Sequence, residues 1–232
     1  MARRILNRDR VLQAGLVLAD QGGLEALTMR KLGEALGVEA MSLYNHVAGK
    51  EDLLDGLVDI VFSEIDLDCS RGAWKIAMRR RAISAREVLE RHRWGIGLME
   101  SRLNPGPATL GHHDAVLRCL REAGFSIAMA AHAYSAIDSY IYGFALQQST
   151  VAVGTGERGV EMVEAFLRQF PADRYPHLAE MATKHVMKPG YDYAKEFEFG
   201  LELILDGLEK ATAPKTTAAA TPSRRPRGTR PS

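Results

Sequence analysis

Residues 27 to 54 read LTMRKLGEALGVEAMSLYNHVAGKEDLL. Thr28 stands where a side-chain oxygen can cap a short helix, and Leu32, Ala35 and Leu36 recur at the spacing of one inward helical face. Gly37 ends that helix, and a turn through Gly37 and Val38 leads into a second short helix over 39–45, with Leu43 inward and Val47 one turn on. Ala35 is small enough to let the two helices cross closely. Glu39, Ala40, Met41, Ser42, Tyr44 and Asn45 are left facing outward on the second helix, with His46 at its end. A helix that enters a major groove needs such a face, and it needs phosphate anchors beside it; Thr28, Arg30, Lys31, Tyr44 and Lys50 bring hydroxyl and cationic donors to its ends. This is the spacing of a helix-turn-helix. Any two short helices joined by glycine share it, so spacing alone leaves the reading open.

Outward from that stretch the periodicity is helical. Asn7 caps a helix carrying Val11, Leu12, Leu16 and Ala19 on one stripe, ended by Gly22 and Gly23. Further amphipathic segments are predicted over 50–66, 74–93, 107–123, 126–150, 160–169, 174–187 and 191–211. Alternating strand patterns with hairpin turns are absent, so the expected fold class is all-α. The expected divisions are a helix-turn-helix unit at 1–49, a single connecting helix at 50–66, a larger helical domain at 67–211, and a disordered basic tail at 212–232 with five positive charges and no acid.

Composition excludes several classes. With 46% hydrophobic residues in 232, disorder of the whole chain is excluded. Thirty Lys and Arg against 29 Asp and Glu leave a net charge of +1, so a nucleic-acid surface must come from local placement, as in MARRILNRDR at the start. Cys69 and Cys119 are too few for a disulfide framework and lack metal-ligand spacing, and no apolar run approaches the roughly 18 residues of a membrane span. A cytoplasmic protein without metal or cofactor is expected.

The run LTMRKLGEALGVEAMSLYNHVAGKEDLLDGL resembles the DNA-binding domain of the tetracycline-repressor (TetR) family, through Ala35, Gly37-Val38, Leu43-Tyr44-Asn45-His46, Lys50 and Leu53-Leu54. The stretches GFSIAMAAHAYSAID and FEFGLELILDGLEK are similar to the C-terminal core of the tetracycline-repressor subclass. The resemblance implies a homodimeric repressor that palindromic operator DNA binds and a small-molecule inducer releases, with two late helices of each subunit forming the dimer interface. Periodicity agrees with that interface: Phe197, Leu201, Ile204 and Leu208 form one stripe with Gly200 and Gly207, and Ala130, Tyr134, Ile137 and Ile141 form another. The competing reading is that these stripes face the core of their own subunit.

Trp94, Met99, Arg102, His112, His113, Asp138, Tyr142 and Gln147 mix large apolar with isolated polar groups, as the walls of small-molecule pockets do. In the tetracycline repressors a His near the end of the fourth helix and another near the sixth help to hold drug and magnesium. The corresponding stretches here, SEIDLD and GLMESR, contain no His, so the resemblance does not carry tetracycline with it. Gly154, Gly156 and Gly159 have the order of a dinucleotide fingerprint without the sheet it requires, and read as a loop. His112, His113, His132, His177 and His185 form no i, i+4 metal pair, and Asp138, Tyr140 and Tyr142 assemble into no nucleophile and base. The alternative is a helical carrier or enzyme with an incidental helix-turn-helix; salt-dependent binding to one palindrome separates the two.

Overall fold

The capping signals act where the sequence places them. In a computed structural model describing residues 5–69, 73–99, 101–150, 164, 165, 168 and 172–212, Asn7 Oδ1 accepts from the Arg10 amide at 2.9 Å and opens α1 (Arg8–Ala26). The glycine pair bends this helix without ending it: Gly23 takes φ 69°, and the helix resumes to Ala26. Thr28 Oγ1 accepts from the Lys31 amide at 3.2 Å and opens α2 (Met29–Leu36), which Gly37 closes in the left-handed region. α3 is a single turn, Ala40–Leu43, shorter than 39–45, because Tyr44, Asn45 and His46 continue as a turn.

The rest is helical. α4 (Lys50–Ser63) leaves the reading head and packs on α6 (Pro107–Glu122), while α5 (Trp74–Arg91) packs on α7 (Ile127–Thr150). A 3₁₀ turn, Arg93–Gly95, rests on α1. After α8 (Pro176–Met181) the chain makes a π-helical turn, Ala182–Val186, and ends its described part in α9 (Tyr193–Thr212), which lies against α5 and α7. Among the described residues no strand occurs and no helix is long and apolar enough to cross a membrane. The helix expected over 160–169, the glycine run at 154–159 and the basic tail beyond 212 lie outside the described residues, apart from isolated helical positions at 164, 165 and 168.

One apolar core continues from the N-terminal helices into the rest of the protein. Val11, Leu32, Leu43, Leu53 and Leu57 of the head are fully enclosed in the same cluster as Met78, Leu89, Leu120, Ile137 and Leu205. A shared core makes the angle of α4 a property of the whole protomer, since interiors packed at crystal density transmit displacement rather than absorb it.

This continuity corrects the dimer stripe. Ile137, Ile141, Phe197 and Leu201 are at most 1% exposed, and Leu208 is also buried, all inside their own protomer. The Tyr140 hydroxyl donates to Phe197 O at 3.0 Å, its ring stacks on Phe197, and Tyr193 stacks on Phe144. Gly200 serves this same packing, because a Cβ there would lie 2.2 Å from the Tyr140 oxygen. Tyr134 is half-buried and its hydroxyl meets His113 Nδ1 at 2.6 Å, so it too is engaged within the protomer. The exposed large apolar residues of these two helices are others: Phe199 and Leu203 on α9, at 67% and 60% exposure, and Leu146 on α7.

Candidate nucleic-acid interface and sensor core

Leu32 and Leu43 anchor the two reading helices from beneath, and both are fully buried. The close approach at the turn belongs to Gly33 rather than Ala35. A Cβ on Gly33 would sit 2.8 Å from Val38 O and 3.2 Å from Ala40 N of α3, whereas Ala35, two residues on, faces solvent. Glu39, Met41, Tyr44 and Asn45 are exposed and Ala40, Ser42 and His46 are half-buried. Thr28, Arg30, Lys31 and Lys50 are exposed on the same end; Arg30 pairs with Glu34 at 3.0 Å and Lys50 Nζ reaches Leu24 O at 3.5 Å. The expected outward residues thus share one accessible end of the protomer. An exposed ion pair such as Arg30 with Glu34 contributes about 0–1 kcal/mol, so Arg30 is readily released to a phosphate or base.

A clamp that the motif does not reveal fixes this end. Arg8 on α1 makes two bonds to Asp52 at 2.8 and 2.7 Å and a third to His46 O at 3.1 Å, while Asp52 Oδ2 accepts from the Ala48 amide at 2.8 Å. The Arg8 hydrogen bond holds the Asp52 carboxyl below its ordinary range against the opposing effect of burial, and Arg8 is raised in turn. A carboxyl lowered on folding contributes stability above its unfolded pKa, and that contribution is lost as pH falls through the folded value. Asp52→Asn should therefore lower stability by about 0.5–1 kcal/mol at pH 7, with the gap to wild type closing below about pH 4. Thermal melts of both proteins from pH 7 to pH 3 check this; a gap that persists unchanged to pH 3 contradicts it.

α4 is tied to the core at both ends. Arg102 Nε donates to Asp55 Oδ1 at 2.5 Å and its Nη2 reaches Glu51 Oε2 at 2.9 Å. Asp59 Oδ1 accepts from the Thr109 amide at 2.8 Å and hydroxyl at 3.0 Å, supplying from α4 an N-terminal cap for α6. Gly106 leaves room for it, since a Cβ there would lie 2.3 Å from Asp59 Cγ. At the far end, His92 lies between Asp20 Oδ1 at 2.8 Å and Glu64 Oε2 at 3.2 Å, and Trp94 Nε1 donates to the same Asp20 oxygen at 2.7 Å. Burial pushes the Glu64 carboxyl up, but hydrogen bonds from Arg91 and His92 outweigh it and leave it below its ordinary value.

Within the core, Arg81 is 1% exposed; its Nη1 donates to Asp138 Oδ1 at 2.6 Å and its Nε to His112 Nε2 at 2.9 Å. Burial and then the Arg81 charge push His112 down to about 3, so it is neutral at physiological pH and carries its proton on Nδ1. Asp138 Oδ2 is buried with no hydrogen-bond partner among the described residues. Beside this cluster His113 packs edge-on against Phe62 of α4, 5.0 Å between centroids, and against Tyr134.

The structure therefore brings His112, His113 and Asp138 together and separates other expected pocket residues from them. Trp94 and Arg102 bind Asp20, Asp55 and Glu51 of the reading half, Met99 is buried in the core, and Gln147 is exposed and accepts from the Tyr193 hydroxyl at 3.3 Å. Tyr142 is half-buried on α7. Trp94 and Arg102 also brace the fold, since their side chains donate to carboxylates of α1 and α4. Arg81 was missed because it sits in the run Arg79-Arg80-Arg81. Its place on the Ala77, Ala85, Leu89 stripe is the signal that could have found it. Among the described residues no group of three or more His, Cys, Asp or Glu is placed to hold a metal ion.

A capped two-helix reading head braced on a helical core with a buried polar cluster defines a DNA-binding regulator with a sensor domain. Residues 11–57 match the family described as bacterial regulatory proteins, tetR family, and residues 68–212 match the tetracyclin repressor-like C-terminal domain. The chain is 33% identical over 224 residues to the HTH-type transcriptional repressor DrrR1 of Streptomyces coeruleorubidus, covering 93% of this chain and 82% of that protein. It is 33% identical over 208 residues to the tetracycline repressor protein class C of Escherichia coli, covering 88% and 91%. The structure of ActR from Streptomyces coelicolor in complex with actinorhodin superposes with a TM-score of 0.74 at 28% identity, covering 90% of this chain and all of that one. The chain belongs to the TetR family of transcriptional regulators.

Proposed function

We propose that the protein is a cytoplasmic, non-enzymatic repressor that binds palindromic operator DNA as a homodimer and lets go when a small molecule enters its core. The observation that carries this reading is the continuous polar linkage from the reading head through α4 to α6: Arg8 with Asp52, Arg102 with Asp55, and Asp59 at the start of α6. The divisions at 1–49, 50–66 and 67–211 follow this mechanics, with α4 as the part that belongs to both sides, and the basic segment 212–232 is assigned to the tail.

Glu39, Ala40, Met41, Ser42, Tyr44, Asn45 and His46 enter the major groove, while Thr28, Arg30, Lys31 and Lys50 hold phosphates or base edges beside it. The ligand enters against His112, His113, Asp138 and Tyr142, where a buried carboxylate oxygen without a hydrogen-bond partner among the described residues favours a compound bearing a hydrogen-bond donor. ActR is described in complex with actinorhodin, which makes that compound the first to try. A ligand releases DNA only by binding the DNA-incompetent arrangement more tightly. Displacing α6 drags Asp59 and hence α4, and a few ångströms of change in the spacing of two recognition helices, about 35 Å apart, spoils their docking in successive grooves.

Arg30→Ala and Tyr44→Ala test the DNA face. Each should cost roughly 1–3 kcal/mol of operator binding, read by fluorescence anisotropy, with the dimer intact by size exclusion. Unchanged operator affinity in both variants would remove the assigned face.

A further inference from the structure

We propose that Cys69 and Cys119, the only two cysteines of the chain, are a disulfide-forming pair that a hydroperoxide closes, and that the bridge shifts the core end of α4 and weakens operator binding. The bridging itself is independent of the proposed function; its effect on DNA rests on that reading.

Cys69 lies in the segment that follows α4 and is half-buried, while Cys119 is on α6 and is 5% exposed. Cys69 Sγ reaches Ala115 O of α6 at 4.0 Å, and Cys119 stands one turn beyond Ala115 on the same face of that helix. Cys69 Sγ therefore lies beside the turn of α6 that carries Cys119. Packing alone does not call for this meeting, since a buried cysteine behaves as a small apolar residue beside any apolar neighbour. Two cysteines from different segments, one beside the α6 turn that carries the other, are placed for exchange of their hydrogens for a bond.

The chemistry divides by exposure. Cys69, the accessible sulfur, attacks the peroxide O–O bond; a sulfur–oxygen bond forms, the second oxygen leaves as water after protonation, and Cys69 becomes a sulfenic acid. Burial, then the Cys69 hydrogen bond, push the Cys119 thiol up to about 12, so it keeps its proton until it meets the sulfenic sulfur. The sulfur–sulfur bond then forms as the sulfenic hydroxyl departs with the Cys119 proton as a second water. Two thiols are oxidised and one peroxide is reduced, without another co-reactant. The bonded sulfurs sit about 2.05 Å apart, nearer than non-bonded contact allows, so closure draws residues 65–69 toward α6. Residues 65–69 follow directly on α4, which ends at Ser63, and buried Ile65 and the Asp66 amide, which donates to Ser84 Oγ of α5 at 2.9 Å, seat them in the core, so closure pulls on the C-terminal end of α4 through the chain itself.

The experiment treats the reduced full-length protein with stoichiometric hydrogen peroxide and follows denatured thiol titre, intact mass, non-reducing electrophoresis and operator affinity. The expected result is loss of both thiols and two hydrogen masses in a monomeric chain, with operator affinity lower by about fivefold or more, restored by dithiothreitol and absent in Cys69→Ser and Cys119→Ser. Two thiols that survive treatment, a stable sulfinic acid at Cys69, or a bridge between two chains would overturn the pair. A bridged monomer that binds operator as the reduced protein does would overturn the effect on α4. Bridging in a protein with no specific operator would instead contradict the proposed function while leaving the disulfide site established.

Discussion

Arg81→Met should lower stability by about 3–5 kcal/mol, because it leaves Asp138 charged and unpaired in a site where the carboxylate is 5% exposed and already has one oxygen without a partner among the described residues. For a chain of this size the midpoint of thermal unfolding falls on the order of 10 °C. The effect belongs to the orphaned charge rather than to the lost contact, since the net strength of a buried pair is small against the desolvation of its members. The double variant Arg81→Met, Asp138→Leu should recover most of the loss, and His112 then keeps its neutral ring among apolar neighbours. Thermal melts of the single and double variants decide it: a double variant no more stable than the single one would mean that Arg81 acts through shape, not charge.

A second large effect is expected where two protomers meet. Phe199 and Leu203 stand out from α9, and the outward face of α7 runs through the small residues Ala128, Ser135, Ser139 and Gly143 to Leu146. A long, mostly apolar helix that shows solvent a row of small side chains allows close approach of another helix, and a C2 pairing of α7 and α9 with their copies would bury both rows. Phe199→Asp together with Leu203→Arg should give a folded monomer. Because each half-site is then held singly, operator affinity should fall by about 10²-fold or more. Phe197→Asp is the contrasting variant: its ring is wholly enclosed between Tyr140 and Phe144, so it should fail to fold rather than fail to pair. Sedimentation and circular dichroism on the two variants separate an interface from a core. A Phe199, Leu203 variant that stays dimeric would move the interface elsewhere.

The difference between these phenylalanines marks where sequence reading stops. Helix ends were legible because capping is local: Asn7, Thr28 and Gly37 each do in three dimensions what their neighbours in sequence require. The all-α fold and the helix-turn-helix followed from apolar spacing for the same reason. Spacing identifies a buried stripe but not what covers it, so Phe197 and Leu201 were assigned to a partner when α5 and α7 of the same protomer cover them. Contacts between distant elements were not legible at all. Arg8 looked like one more basic residue near DNA, yet it is spent on Asp52, and nothing in the sequence shows that Arg102 reaches Asp55 of α4 or that Trp94 reaches Asp20 of α1. His112 and Asp138 were found because isolated polar groups on otherwise apolar helix faces must be paired inside the fold; their common partner Arg81 was hidden in a run of arginines.

The central claim is that DNA and a small molecule compete through α4. The direct measurement is operator affinity, on the palindrome found by footprinting the DNA beside the protein's own gene, with and without a compound selected by thermal shift, paired with affinity for that compound with and without operator. The account predicts that the compound weakens operator binding and that operator weakens compound binding by the same factor. A compound that stabilises the protein yet leaves operator affinity unchanged would contradict it.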